Sequence, residues 1–322
     1  MNTIVKAALA YAVWSALAVT SASADYPTKP IRLIVPSAVG GAPDTIGRLI
    51  ASELGKQMGQ QVVVDNRPGA SGVIGFEALA KAAADGYTFG YATFPFIINP
   101  IIFSKLPYDA AKDFHPVVLQ GFGASLMTVT PALQVRSARE LIAYARAQPG
   151  QLSYGSSGSG SSQQLAVELF KFMTGTQIVQ VSYKGIQQAI TEVIAGQIHI
   201  VCDAPTSVLP HIRAGRLRAI GVTTPRRLRS MPDVPTVAES GLPGYEVQLS
   251  SGYLVPAGAP RSVVMRLNTE INKALASPVL LEKFASASYM VAGGTPDQFA
   301  EHLRRETVKW TGVIKAAGVK PQ

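Results

Sequence analysis

From Ile31 to Thr224, short β-branched and apolar runs alternate with segments of helical period, and this alternation most limits the folds open to the chain. IRLIV (31–35), QVVVD (61–65), YTFGYAT (87–93), IVQVSY (178–183), IHIVCD (198–203) and RAIGVTT (218–224) read as strands. Between them, Thr45 to Met58 sets Ile46, Leu49, Ile50 and Leu54 on one helical face, with Gly59 placed to end the helix. Ser137 with Glu140, and Ser161 with Gln164, have the spacing of capping boxes. The second opens a helix predicted to turn Leu165, Leu169, Phe172 and Met173 inward. Strands alternating with helices call for an α/β fold in which helices cover parallel sheets.

Two sheets fit the pattern better than one. The stretches from Pro116 to Pro131 and from Tyr245 to Val255 are long for single strands, and each carries glycines at mid-length. If each leaves one sheet and enters another, residues 25–123 and 248–322 form a first lobe, and residues 124–247 a second one inserted into it. The glycines would suit a hinge, since they tolerate backbone change. The helical tail from Pro260 to Gly318 is expected to return to the first lobe.

The first residues join Lys6 to an apolar run from Ala7 to Val19 and then to small residues ending Ala22-Ser23-Ala24. That is the pattern of a cleavable export signal over residues 1–24, which places the mature protein in the periplasm. Cys202 is the single cysteine, so no intramolecular disulfide supports the exported fold. The formal charge of +9 is spread along the chain, and its densest group is Arg226, Arg227 and Arg229. A nucleic-acid surface would need a basic stripe with interleaved aromatics, so no nucleic-acid partner is expected.

In open parallel sheets, ligands bind where strand ends feed helix N-termini. That rule selects five loops. In the first, Ser37, Ala38, Val39, Gly40 and Gly41 bring backbone close to a ligand, and Asp44 organises the loop by capping the helix expected from Thr45. In the second, Ser156, Ser157, Gly158, Ser159, Gly160, Ser161 and Ser162 offer N–H groups and hydroxyls to an anionic oxygen; the same sequence also suits a flexible turn whose serines only cap the helix. Thr93 and Phe94 form the third, and Tyr183, Lys184 and Gly185 the fourth, where Lys184 is either a surface charge or a source of positive potential. In the fifth, Asp203, Ala204 and Thr206 end a very apolar strand, with Asp203 either a helix cap or a polar contact in a cleft.

Enzyme signatures are missing from these loops. No serine in Gly155 to Ser162 stands in a G-x-S-x-G elbow, no P-loop occurs, and GGAPD lacks dinucleotide spacing. His115, His199, His211 and His302 stand at no metal-ligand spacing. The chain is therefore read as a non-enzyme with no catalytic residues, no metal site and no cofactor.

Many ordered segments resemble one family. YPTKPIRLIVP, the Gly40 to Asp44 GG-x-x-D, VVVDNRPGASGVIG, ADGYTF, KDFHPV, ELIAYARAQPGQLSYGSSGSGSS, SYKG, IRAGRLRAIGVTT, MPDVPTVAESGLPGYE and VPAGAP are similar to the Bug-type solute receptors of tripartite tricarboxylate transporters. The resemblance implies a type II periplasmic-binding-protein fold of two lobes joined by two crossover strands. It further implies that the five loops close over a small carboxylate and that the loaded receptor, a monomer, serves a membrane permease. A ligand-sensing receptor for a signalling partner, and a periplasmic hydrolase, are the alternatives. Departures from the family pattern fall at Ser37, Val39, Gln180, Ser182, Ser250 and Ser251, where smaller or more polar residues point to a bulkier or more polar acid.

Overall fold

In the computed structural model, which describes residues 26–318, two sheets stand side by side. The export signal expected over residues 1–24 lies outside the described residues. The six-stranded sheet uses β1 (Ile31–Val35), β2 (Val62–Asn66), β3 (Thr88–Ala92), β4 (Phe114–Gly123), β10 (Leu249–Pro256) and β11 (Tyr289–Val291), in the order β11-β4-β10-β3-β1-β2. β1 pairs in parallel with β2 and β3, whereas β10 runs antiparallel between β3 and β4. The five-stranded sheet uses β5 (Leu126–Val129), β6 (Leu152–Ser156), β7 (Ile178–Ser182), β8 (Ile200–Asp203) and β9 (Arg218–Val222), in the order β7-β6-β8-β5-β9.

The predicted strands therefore form within a residue or two of their expected bounds. β6 escapes a reading that treats Tyr154 to Gln163 as loop, although Leu152 and Tyr154 alternate with Ser153 and Gly155 and turn fully into the core. Helices cover both sheets: α1 (Ala42–Met58), α2 (Val73–Ala80) and α3 (Pro95–Ile102) around the first, α4 (Ala138–Ala147), α5 (Ser162–Thr174), α6 (Ile186–Ile194) and α7 (Pro205–Arg213) around the second. On α5 the inward position belongs to the fully buried Phe170, and Phe172, expected inside, is 55% exposed. The phase follows Ala166, Phe170 and Thr174, which are four apart and all buried.

Both long stretches cross between sheets. β4 hands over to β5 across Ala124 and Ser125, and the return from β9 reaches β10 through Val247 and Gln248. The two crossings are bonded to each other. Thr223 N–H donates to Ser125 O at 2.9 Å, and Val247 N–H to Thr223 O at 2.8 Å. Two of the three glycines in these stretches are tightly packed, whereas Gly123 has only ordinary contacts. A Cβ on Gly121 would overlap the Met290 carbonyl, and one on Gly252 would stand 2.5 Å from both Val118 O and the Phe299 ring. They permit close packing of β11 on β4 and of the C-terminal helix on β10.

After β10 come α8 (Arg261–Leu275), α9 (Pro278–Ser286) and α10 (Pro296–Ala316). α8 and α9 return to the first sheet, as Leu267, Ile271 and Phe284 in its core show. α10 lies across both lobes. Its Trp310, Val313 and Ile314 share one apolar cluster with Phe94, Ile98 and Ile102 from the first side and with Leu165 and Phe170 from the second. Trp310 is fully buried, edge-on to Phe94 at 5.4 Å between ring centroids.

Two glycine substitutions separate crowding from backbone preference. Gly252→Ala is expected to cost more than about 2 kcal/mol, because the new Cβ would stand 2.5 Å from the Val118 carbonyl of the adjacent strand, which cannot yield. Gly175→Ala, at a left-handed helix end with open space around it, is expected to cost about 1 kcal/mol in the same chemical denaturation measurement.

Candidate functional site

A cavity of about 530 Å³ lies between the two sheets. Four helix N-termini reach it: α1 through Ala42 and Pro43, α3 through Phe94 and Pro95, α5 through Ser161 to Gln163, and α7 through Ala204 to Thr206. The first N–H groups of a helix have no intrahelical acceptor. Those of Ala42, Ser162, Gln163 and Thr206, all on cavity-lining residues, are of this kind. Each helix also directs the positive end of its dipole to the same space. No Lys, Arg, His, Asp or Glu lines the cavity among the described residues. Hydroxyls and amides supply its polarity, and Ile46, Phe94, Ile102 and Leu249 its apolar walls.

Of the residues proposed from sequence, Thr93, Phe94, Ser157, Ser159, Gly160, Ser161, Ser162, Ala204 and Thr206 line this cavity. The others stand behind or beside it. Ser37, Ala38, Val39, Gly40 and Gly41 precede α1 without forming the wall, and Val39 is 72% exposed. Tyr183 packs against the second lobe, Lys184 is exposed, and Gly185 is the N-cap of α6. Ser156, Gly158 and Asp203 belong to the supporting structure described next.

The loop before α1 is held by a carboxylate. α1 begins at Ala42, three residues earlier than expected, because Pro43 suits a first helical turn. Asp44 is consequently the third residue of α1 and reaches back instead of capping. It is 2% exposed, and it accepts from Gly40 N–H at 2.8 Å and Asn66 Nδ2 at 2.9 Å while pairing with Arg48 Nε at 3.0 Å. The Gly40 N–H, ahead of Asn66 and Arg48, holds its carboxyl below the ordinary 3.8 against the opposing effect of burial.

Amides brace the other jaw. Ser161 Oγ caps α5 by accepting from Gln164 N–H at 3.3 Å. Gln164 Oε1 accepts from Gly160 N–H at 2.7 Å, one residue before the position a capping box would use. Gln164 Nε2 donates to Gln180 Oε1 at 2.9 Å, and Gln180 Nε2 to Ser156 Oγ at 2.8 Å. The Ser156 hydroxyl also accepts from Gly158 N–H at 3.3 Å. Gly158 and Gly160 thus spend their N–H groups inside the protein, and the open donors shift to Ser162 and Gln163. Asp203 caps nothing. Its Oδ1 accepts from Gln163 Nε2 at 2.9 Å and fixes that side chain on the cavity wall.

Several lining residues lie outside the strand-end loops and escape a sequence rule based on them: Ser71, Tyr91, Asn99, Ile102 and Tyr289. Ser250 and Ser251, already marked as departures from the family pattern, also line it. Two buried polar atoms on these residues lack partners, Asn99 Oδ1 and Ser250 Oγ. Asn99 Nδ2 donates to Ser71 O at 3.1 Å, which leaves its oxygen as an acceptor at the wall. His199, by contrast, lies in the second lobe, where its Nδ1 accepts from Ser153 N–H at 3.1 Å.

Comparison with known proteins agrees with this architecture. The family model for the tripartite tricarboxylate transporter family receptor matches residues 46–319, and the chain belongs to that family. Protein BugT of Bordetella pertussis is 36% identical over 301 residues, 92% of each chain. An R. palustris protein solved with adipate is 37% identical, superposes with a TM-score of 0.79, and is covered fully by 92% of this chain. MatC from Rhodopseudomonas palustris with bound malate is 28% identical, with a TM-score of 0.74 over 90% of this chain and all of that one.

The lowered Asp44 pKa sets a sign for acid sensitivity. Because the folded state favours the carboxylate, its contribution is complete above 3.8 and is lost as pH falls through the lower folded value. Asp44→Asn is expected to lower stability at neutral pH by about 1–3 kcal/mol. Denaturation series at successive pH values should show that the variant also loses part of the acid dependence.

Proposed function

We propose that the cavity binds a small organic carboxylate, and that the protein is the receptor which delivers this ligand to the permease of a tripartite tricarboxylate transporter. The observation that carries the reading is the meeting of four helix N-termini in a cavity lined by no charged side chain. Such a site favours an anion through N–H groups and dipoles, and it places no fixed carboxylate against it. The relatives solved with adipate and malate support a carboxylate as that anion.

Ala42 belongs to the residues 25–123 and 248–322 assigned to the first lobe, and Ser162, Gln163 and Thr206 to the residues 124–247 assigned to the second. A carboxylate held by both jaws gains its full set of donors only when the lobes are together, so ligand favours the closed form by the contacts the open form lacks. Asp44 and the Gln164–Gln180–Ser156 chain hold the jaws in shape. The protein acts by binding without turnover, in the periplasm, as a monomer.

Thermal denaturation with a panel of mono- and dicarboxylates, adipate and malate included, tests the reading. A binding acid at a hundred times its dissociation constant should stabilise the fold by about 2.7 kcal/mol. It should be recovered unchanged, and small-angle scattering should show compaction. Failure of every acid to raise the melting temperature would overturn the reading, as would consumption of the ligand that stops on Ser159→Ala.

A further inference from the structure

The carboxylate reading, on which this inference rests, leaves unexplained a run of hydroxyls on the six-stranded side of the cavity. Tyr253 Oη lies 2.5 Å from Gln120 Oε1, a separation that suits O–H···O and is too short for N–H···O. That contact fixes the Gln120 amide. Its oxygen accepts from Tyr253, and its Nε2 donates to Tyr91 Oη at 3.4 Å. Tyr91 therefore gives its own proton to Ser251 Oγ, 2.7 Å away. Ser251 and Tyr289 share one hydrogen bond, which consumes one of their two protons. When Ser251 donates, the Tyr289 proton turns back to Tyr91; when Tyr289 donates, Ser251 keeps a proton for the cavity, which both residues line, and an acceptor on the ligand selects that second arrangement.

Ser250 supplies a second donor. The residue is 3% exposed, its Oγ has no partner, and it lines the same wall. No charge stands behind these hydroxyls. Burial pushes the Tyr91 phenol up to about 12 and that of Tyr289 well above its ordinary value, so both remain neutral. A carboxylate brought to them would lose its hydration against hydroxyl protons alone, with no cation on the cavity wall, and an unpaired buried charge is costly. An uncharged oxygen accepts the same protons without that cost.

We propose that the ligand is a monocarboxylate carrying, away from its carboxylate, an uncharged oxygen acceptor such as a hydroxyl, ether or carbonyl, which Ser250 and the Ser251–Tyr289 pair receive. The second lobe and α1 hold the anionic end, and the hydroxyls select the other.

Calorimetric titration of the purified protein tests this with matched acids on unbranched chains of four to eight carbons: the plain acid, the ω-hydroxy acid and the diacid. At the best length the hydroxy acid should bind about tenfold more tightly than either of the others, the worth of one good hydrogen bond. Ser250→Ala, and Ser251→Ala combined with Tyr289→Phe, should each lose about tenfold for the hydroxy acid relative to the plain acid. Ser250→Ala carries the test if the double variant does not fold, because its hydroxyl has no protein partner to lose. A diacid bound as tightly as the hydroxy acid would overturn the proposal and leave the carboxylate reading standing. Unchanged hydroxy-acid affinity in the folded variants would do the same. Binding by none of the three classes would overturn both.

Discussion

A site that takes an anion out of water without offering it a cation depends on how firmly its neutral donors are held. Backbone N–H groups are weak partners if the loops that carry them can turn away, because reorienting them costs part of the stabilisation they give. Here each jaw is fixed by a buried polar side chain that bonds the backbone just before its helix: Asp44 on Gly40, and Gln164 on Gly160. Gln163 is pinned in turn by Asp203. Asp44 and Asp203 stand behind the wall, where donors of the protein bond to them.

The two lobes are less separate than their sheets. Two adjacent chain crossings are bonded through Thr223, and α10 spans the junction with Trp310 inside a cluster drawn from both sides. The loop at Gly160 leans on Ile102 closely enough that a Cβ would overlap it. Parting the lobes at this junction would therefore expose apolar surface as well as break polar contacts.

Much of the fold was legible because burial on both faces leaves a parallel strand little freedom in composition. IRLIV and the IVCD end of IHIVCD are almost continuous apolar runs, and each becomes an interior strand of its sheet. Legibility fell where a residue's neighbours in space, rather than in sequence, decide its place. Phe170 and Phe172 differ by two positions and look alike in composition, yet only one faces the core. The crowding at Gly121 and Gly252 likewise depends on residues distant in sequence, Met290, Val118 and Phe299. Within the candidate site, strand-end loops were accessible to a general rule, whereas Tyr91 within β3 and Tyr289 on an edge strand reach the cavity only through sheet order. Ser37 and Val39 drew attention as departures from a family pattern, but the departures that reach the cavity are Ser250 and Ser251.

Gln120 is fully buried and does not line the cavity, yet its amide occupies the Tyr91 oxygen and so turns the Tyr91 proton toward Ser251 at the cavity wall. Selectivity is thus stored one layer behind the surface that meets the ligand. A lineage of such receptors could exchange one class of nutrient for another by altering that hidden layer while every wall residue stayed the same, and a comparison confined to the walls would miss the change.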